Sequence, residues 1–168
     1  MDPFKTLEIE PRYDLDLAAV EHRHRELSRA LHPDRFVGRP ASERRLALSR
    51  AIEVNEAWRK LRDPVRRAEA LLDRLGIETG ETSGAKADPE LLMEMMEQRE
   101  ALSETRATRD ASRLAELTSA MQHREKAVIA SLASALSRDP SSAIPHLAEL
   151  RYVRRFLEEA SAVEDELL

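Results

Sequence analysis

Apolar residues along this chain recur at every third or fourth position, the spacing of one helical face. Leu17, Val20, Leu27 and Leu31 form a first stripe, and Asp16 just before it is a natural N-cap, so residues 14–31 are predicted to be helical. The stretch "ALHPDRF" at 30–36 stops that pattern. Pro33 has no N–H to donate and pushes His32 out of the α region. His32 and Asp34 are therefore expected at the tip of a turn, one on each side of a rigid ring. Residues 32–41 hold two prolines and a glycine and read as a loop. Ser42, with Glu43 in the first turn, is the predicted cap of a second helix. Its stripe is Ala47, Ala51, Val54, Trp58 and Leu61. Two helices of similar length joined by about ten residues pack most simply as an antiparallel pair.

Asp63-Pro64 supplies a cap and a proline at the first helical position, opening a helix that runs through Leu71, Leu72 and Leu75 to a stop at Gly76. Residues 76–88 carry three of the four glycines and read as a linker between a domain at 1–75 and another at 89–168. Asp88-Pro89 repeats the cap-plus-proline device for a long helix to about Thr108. Asp110 starts another, with Leu114, Leu117, Met121, Val128, Leu132 and Leu136 on one side. "RDPSSAIP" turns the chain into a last helix whose stripe is Leu147, Leu150, Val153, Leu157 and Ala160. Three helices of roughly 30–40 Å, at 1.5 Å per residue, joined by short turns make an elongated antiparallel bundle. In its first helix Leu91, Met95, Gln98 and Leu102 share the face expected to be core. Leu92, Met93 and Met96 fall on a different face, so the helix is apolar over too wide an arc. Surplus apolar surface marks a contact, and methionine suits an adaptable one. The competing reading has this patch packed against the N-terminal domain.

Composition narrows the fold class. The 168 residues include 23 Leu and 24 Ala against 7 Val and 5 Ile, and no segment alternates apolar with polar, so the chain reads as all-α. A net charge of −5 argues against a nucleic-acid binder. The absence of cysteine excludes disulfides, a thiolate nucleophile and a Cys-ligated metal site. His22 and His24 point to different helix faces and His123 and His146 stand alone, so neither a metal nor a cofactor is expected. "MDPFKTLEIE" has no charged leader before an apolar stretch, and no apolar run approaches ~20 residues. A cytoplasmic protein that does not enter the membrane is the expectation.

His32 and Asp34 invite an acid–base reading, which would make the chain a small hydrolase. No serine or cysteine nucleophile has a recognisable setting, no glycine-rich phosphate loop exists, and a convex turn makes a poor pocket. A second reading has both side chains simply capping the helix end. A third starts from charge. Arg23, Arg25 and Arg29 precede the turn, and Arg35 and Arg39 follow it. A basic face beside a presented aspartate, in an acidic chain, suits docking onto an acidic protein surface. Glu21 and Glu26 dilute that face, and a merely solvated surface stands as the alternative.

A basic helix, His32-Pro33-Asp34, a loop and an apolar antiparallel helix together resemble a J-domain. "RYDLD", "HPDRF", "VNEAW" at 54–58, "LRDPVRRAEALL" at 61–72 and "LLMEMMEQREAL" at 91–102 extend the resemblance over essentially the whole chain to the HscB co-chaperones of iron–sulfur cluster assembly. HPD alone identifies a J-domain, and the last two segments make the likeness specific. The resemblance implies a non-enzymatic co-chaperone. It would bind an ATPase chaperone of the HscA/DnaK class through His32, Pro33, Asp34, Arg25, Arg29 and Arg35 and stimulate its ATP hydrolysis. It also implies a C-terminal bundle that binds an IscU-type scaffold through Leu92, Met93 and Met96, with Glu97 and Glu100 beside them and Tyr152 where the family commonly has Phe. A J-domain protein serving a different client is the main rival. His24 stands on the apolar stripe where the family usually has a large aromatic and reads as a satisfied core or boundary histidine rather than a ligand. Gln98 replaces an apolar core residue, and the four-cysteine module of some members is absent.

Overall fold

The computed structural model describes residues 1–79 and 88–167, which form two compact units, Met1–Glu78 and Thr79–Leu168. Every regular element among the described residues is helical: α1 (Pro3–Leu7), α2 (Leu17–Ala30), α3 (Ala41–Arg62), α4 (Pro64–Arg74), α5 (Pro89–Thr108), α6 (Ala111–Arg138) and α7 (Ile144–Leu167). Short 3-10 turns at Pro33–Phe36 and Pro140–Ala143 complete the set. The all-α reading is therefore correct.

The caps explain where the helices begin. Asp16 accepts hydrogen bonds from the N–H groups of Ala18 and Ala19 at 3.0 and 3.2 Å, so α2 starts at Leu17, three residues later than position 14. Asp63 accepts from Val65 and Arg66 at 2.9 and 3.0 Å, and Pro64 follows at the first helical position. Asp88 accepts from Glu90 at 3.0 Å and Asp110 from Arg113 at 2.9 Å. Ser42 does not cap α3. The first bond of that helix runs from the Arg44 N–H to the Pro40 carbonyl at 3.1 Å, which puts Pro40 at the cap position with no side-chain partner. α3 has 22 residues against 14 in α2, so the pair is unequal in length.

The first unit is built on α3. Phe4 and Leu7 of α1, Val20 of α2 and Val54, Ala57 and Leu61 of α3 form its buried cluster, and Leu27, Leu31 and Trp58 pack half-buried against it. The N-terminal helix has no counterpart in the stripe pattern, yet Phe4 is only 1% exposed. Its signal is Asp2-Pro3, the same device that opens α4 and α5: Asp2 accepts from the N–H groups of Phe4 and Lys5. Arg74 at the end of α4 pairs with the Asp2 carboxylate and ties the two ends of the unit together. The corner between α3 and α4 is held by Arg67, which donates to the Leu61 carbonyl at 2.9 Å and lies over the Tyr13 ring at 4.7 Å. Gly76, at φ +71°, closes α4, and the Ile77 N–H reaches back to the Leu72 carbonyl at 3.0 Å. Residues 80–87, most of the expected 76–88 linker, lie outside the described residues.

The second unit is a bundle of α5, α6 and α7. Its core gathers Met95, Leu102, Leu114, Leu117, Met121, Val153, Phe156, Ala160 and Val163. Phe156 is buried whereas Leu157 is half-buried, so the core stripe of α7 sits one residue away from the predicted Leu157. Gln98 is half-buried at the core margin. Arg99 of α5 pairs with Glu159 of α7 at 2.7 Å, and Arg106 holds Glu166 with two bonds of 2.7 and 2.8 Å. Both pairs span 60 residues, so α5 and α7 run in the same direction, with α6 reversed between them in sequence. Arg124 of α6 joins all three helices through Glu94 and Glu149, and both carboxylates hold its guanidinium pKa above the usual range, Glu94 most strongly.

Candidate interaction surfaces

α2 ends at Ala30. The Leu31 N–H still reaches the Leu27 carbonyl at 3.0 Å, and the His32 N–H reaches Arg29 weakly at 3.4 Å. His32 is then extended, at φ −60° and ψ 134°, as a residue before proline must be. Pro33 and Asp34 then lie in the 3-10 turn Pro33–Phe36. The side chains of His32 and Asp34 are 60% and 86% exposed. They do different work. His32 Nδ1 accepts from the Asp34 N–H at 3.3 Å, so the ring caps the turn. Among the described residues the Asp34 carboxylate takes no backbone hydrogen, and it stands exposed, 3.5 Å from His32 Nδ1. The capping reading thus accounts for the imidazole but not for the carboxylate.

The surrounding charges divide in the same way. Arg23 is turned inward, donating to the Leu7 carbonyl at 3.4 Å and pairing with Glu8 and Glu26, so it belongs to the α1–α2 packing and leaves the expected basic face. Arg25 pairs with Glu21 at 2.5 Å along the exposed side of α2. Arg29, Arg35 and Arg39 are exposed and have no ion pair among the described residues. His24 behaves as a boundary histidine. It stacks on Trp58 with centroids 5.7 Å apart, and its Nε2 lies 2.8 Å from Asn55 Oδ1, which joins α2 to α3. No cluster of three metal-ligating side chains exists among the described residues.

The second surface lies on α5. Leu92, Met93 and Met96 are 37%, 65% and 70% exposed, while Met95 and Leu102 of the same helix are buried. Glu97 and Glu100 are exposed beside them. Leu92 and Met96 precede Arg99 by seven and three residues, so they share its flank, which faces α7. The common register of 60 residues sets Tyr152 level with Leu92. Tyr152 is half-buried and packs against the bundle core, so its ring is partly committed to the fold. The positions of the arginines that tie α5 to the other helices, Arg99, Arg106 and Arg124, were not legible from stripes. They decide which flank of α5 is covered, and so which apolar residues stay uncovered.

A histidine–proline–aspartate turn presented between two helices that pack against each other, in an all-helical chain with a separate helical bundle, defines a protein of the J-domain co-chaperone class. Comparison with known proteins narrows the class. The family profile of the HSCB C-terminal oligomerisation domain matches residues 87–161. The co-chaperone protein HscB homolog of Shewanella pealeana is 34% identical over 100% of this chain and 99% of its own. The chaperone HscB from Vibrio cholerae superposes with a TM-score of 0.88 at 30% identity, covering 100% of both chains. Human co-chaperone HscB superposes at 0.89 with 27% identity, over 98% of this chain and 82% of that one. The chain belongs to the HscB family, the J-domain co-chaperones of iron–sulfur cluster assembly.

Proposed function

We propose that this protein binds an IscU-type iron–sulfur scaffold, delivers it to an HscA/DnaK-class chaperone in the cytoplasm and stimulates that chaperone's ATP hydrolysis. Residues 1–75 act as the J-domain and residues 89–168 as the scaffold-binding domain. His32, Pro33 and Asp34, with Arg25, Arg29 and Arg35, meet the chaperone. Leu92, Met93 and Met96, with Glu97, Glu100 and Tyr152, meet the scaffold. The protein carries no catalysis of its own in this scheme; the hydrolysed phosphate sits in the partner.

The observation that carries the reading is the uncommitted Asp34 carboxylate on a fixed turn. A carboxylate that caps no helix and meets only the exposed His32 ring beside it is positioned for another molecule, and Arg29 and Arg35 around it, without an ion pair among the described residues, favour an acidic partner surface. The test is the steady-state ATPase rate of the purified chaperone with the parent protein, with His32→Gln and with Asp34→Asn. Both variants are expected to lose the stimulation; Asp34→Asn keeps stability within about 0.5 kcal/mol because its carboxylate is exposed, and His32→Gln within about 1 kcal/mol, the cost of losing the turn cap. Stimulation that persists in Asp34→Asn would refute this role for the turn.

A further inference from the structure

The proposed scaffold surface has a polarity that follows from the register of α5 against α7. Arg99 and Glu159 form a bridge between the two helices at 2.7 Å. Leu92 and Met96 lie on the α7-facing flank of α5, seven and three residues before Arg99. Tyr152 and Arg155 lie on the matching flank of α7, seven and four residues before Glu159. The apolar strip of Leu92, Met96 and Tyr152 therefore runs along the groove between α5 and α7, and the Arg99–Glu159 bridge crosses that groove at one end of the strip.

The two edges of this groove have opposite charge. On the α5 side, beyond Met96, stand Glu97 and Glu100, both exposed. On the α7 side the sequence offers three arginines, of which two are engaged among the described residues. Arg151 donates to the Thr79 carbonyl at 2.8 Å, and Arg154 pairs with Glu125 at 3.5 Å. Arg155 is exposed and has no ion pair among the described residues. Its neighbours one turn on are Glu158, which is exposed, and Glu159, which is held by Arg99.

We infer that Arg155 is a specificity-determining contact for the scaffold and that the groove accepts its partner in one orientation only. An apolar segment would lie over Leu92, Met96 and Tyr152, with basic groups over Glu97 and Glu100 and a carboxylate over Arg155. An apolar strip alone is satisfied by either orientation of a docked segment. Opposite charges on its two edges remove that ambiguity, because the reversed orientation sets like charges face to face. This inference rests on the proposed scaffold binding and adds the basic edge to it.

Surface-plasmon association kinetics of Arg155→Glu against an immobilised IscU-type scaffold test it, with the parent protein and the triple Leu92→Ala, Met93→Ala, Met96→Ala variant alongside. Arg155→Glu is expected to associate about tenfold more slowly than the parent at low salt, with the deficit shrinking as salt rises. Its melting temperature and its stimulation of the ATPase without scaffold stay at the parent values. A lysine introduced at one scaffold carboxylate should recover the lost rate against the glutamate variant. Parent-like association of Arg155→Glu, while the triple variant fails to bind, overturns the basic edge and leaves scaffold binding intact. A marked fall in melting temperature would show Arg155 serving the fold through Glu158, and overturns it as well. A parent protein that does not bind the scaffold overturns both readings.

Discussion

Replacing Leu92, Met93 and Met96 together with alanine separates the contact role of the α5 patch from a packing role. Burying a whole Leu or Met side chain is worth about 1.5–3 kcal/mol. The three residues are 37%, 65% and 70% exposed, so the surface left for a partner amounts to roughly 1.7 side chains. Full coverage is then worth about 2.5–5 kcal/mol, and alanine keeps its methyl group, leaving a loss of about 2–4 kcal/mol. At 1.4 kcal/mol per tenfold this is a weakening of scaffold binding by about 30- to 700-fold. The folding cost is much smaller. Met93 and Met96 contribute within about 0.5 kcal/mol each as surface positions, Leu92 about 1 kcal/mol, and alanine's helix propensity returns part of it. Isothermal titration against the scaffold and a thermal melt by circular dichroism read the two quantities on the same samples. The chaperone's ATPase should respond to the triple variant alone as it does to the parent, while the further stimulation seen with scaffold disappears. If these side chains were core, each truncation would cost about 2–5 kcal/mol and the bundle would lose 6 kcal/mol or more. A variant so destabilised, or one that binds the scaffold at parent affinity, would refute the reasoning.

Reversing the charge at Arg25 and Arg29 is expected to slow association with the chaperone and flatten its salt dependence; an interaction insensitive to salt in the parent would refute the docking face. Phe4→Ala should destabilise the first unit by about 3–5 kcal/mol in a denaturant melt, because the ring is 1% exposed in the α1–α3 core; a change below 1 kcal/mol would show α1 to be peripheral.

The helices and the presented turn were legible in the sequence because their causes are local. An aspartate followed by proline caps a helix by accepting from N–H groups two or three residues further on, and this happens at Asp63 and Asp88 as read. It happens at Asp2 too, where the same signal opens α1 and five residues proved too few for a stripe to reveal. Pro33 forces the turn at His32 whatever surrounds it, and the family likeness was carried by contiguous segments. Stripes located Met95 and Leu102 in the core and left Leu92, Met93 and Met96 outside it. Where a property depended on residues far apart in the chain, periodicity was silent or misleading. Arg23 looks like part of a basic face on α2, and only Glu8 and the Leu7 carbonyl, brought against it by the packing of α1, turn it inward. Leu157 fits the stripe of α7 as well as Phe156 does, but the core takes the ring, because helix rotation is set by neighbours and not by the helix itself. The pairs Arg99–Glu159 and Arg106–Glu166 join residues 60 apart and set the register that brings Tyr152 level with Leu92. Hydrogen bonds within a turn are written in adjacent residues, whereas a groove between two helices exists only once both have been packed.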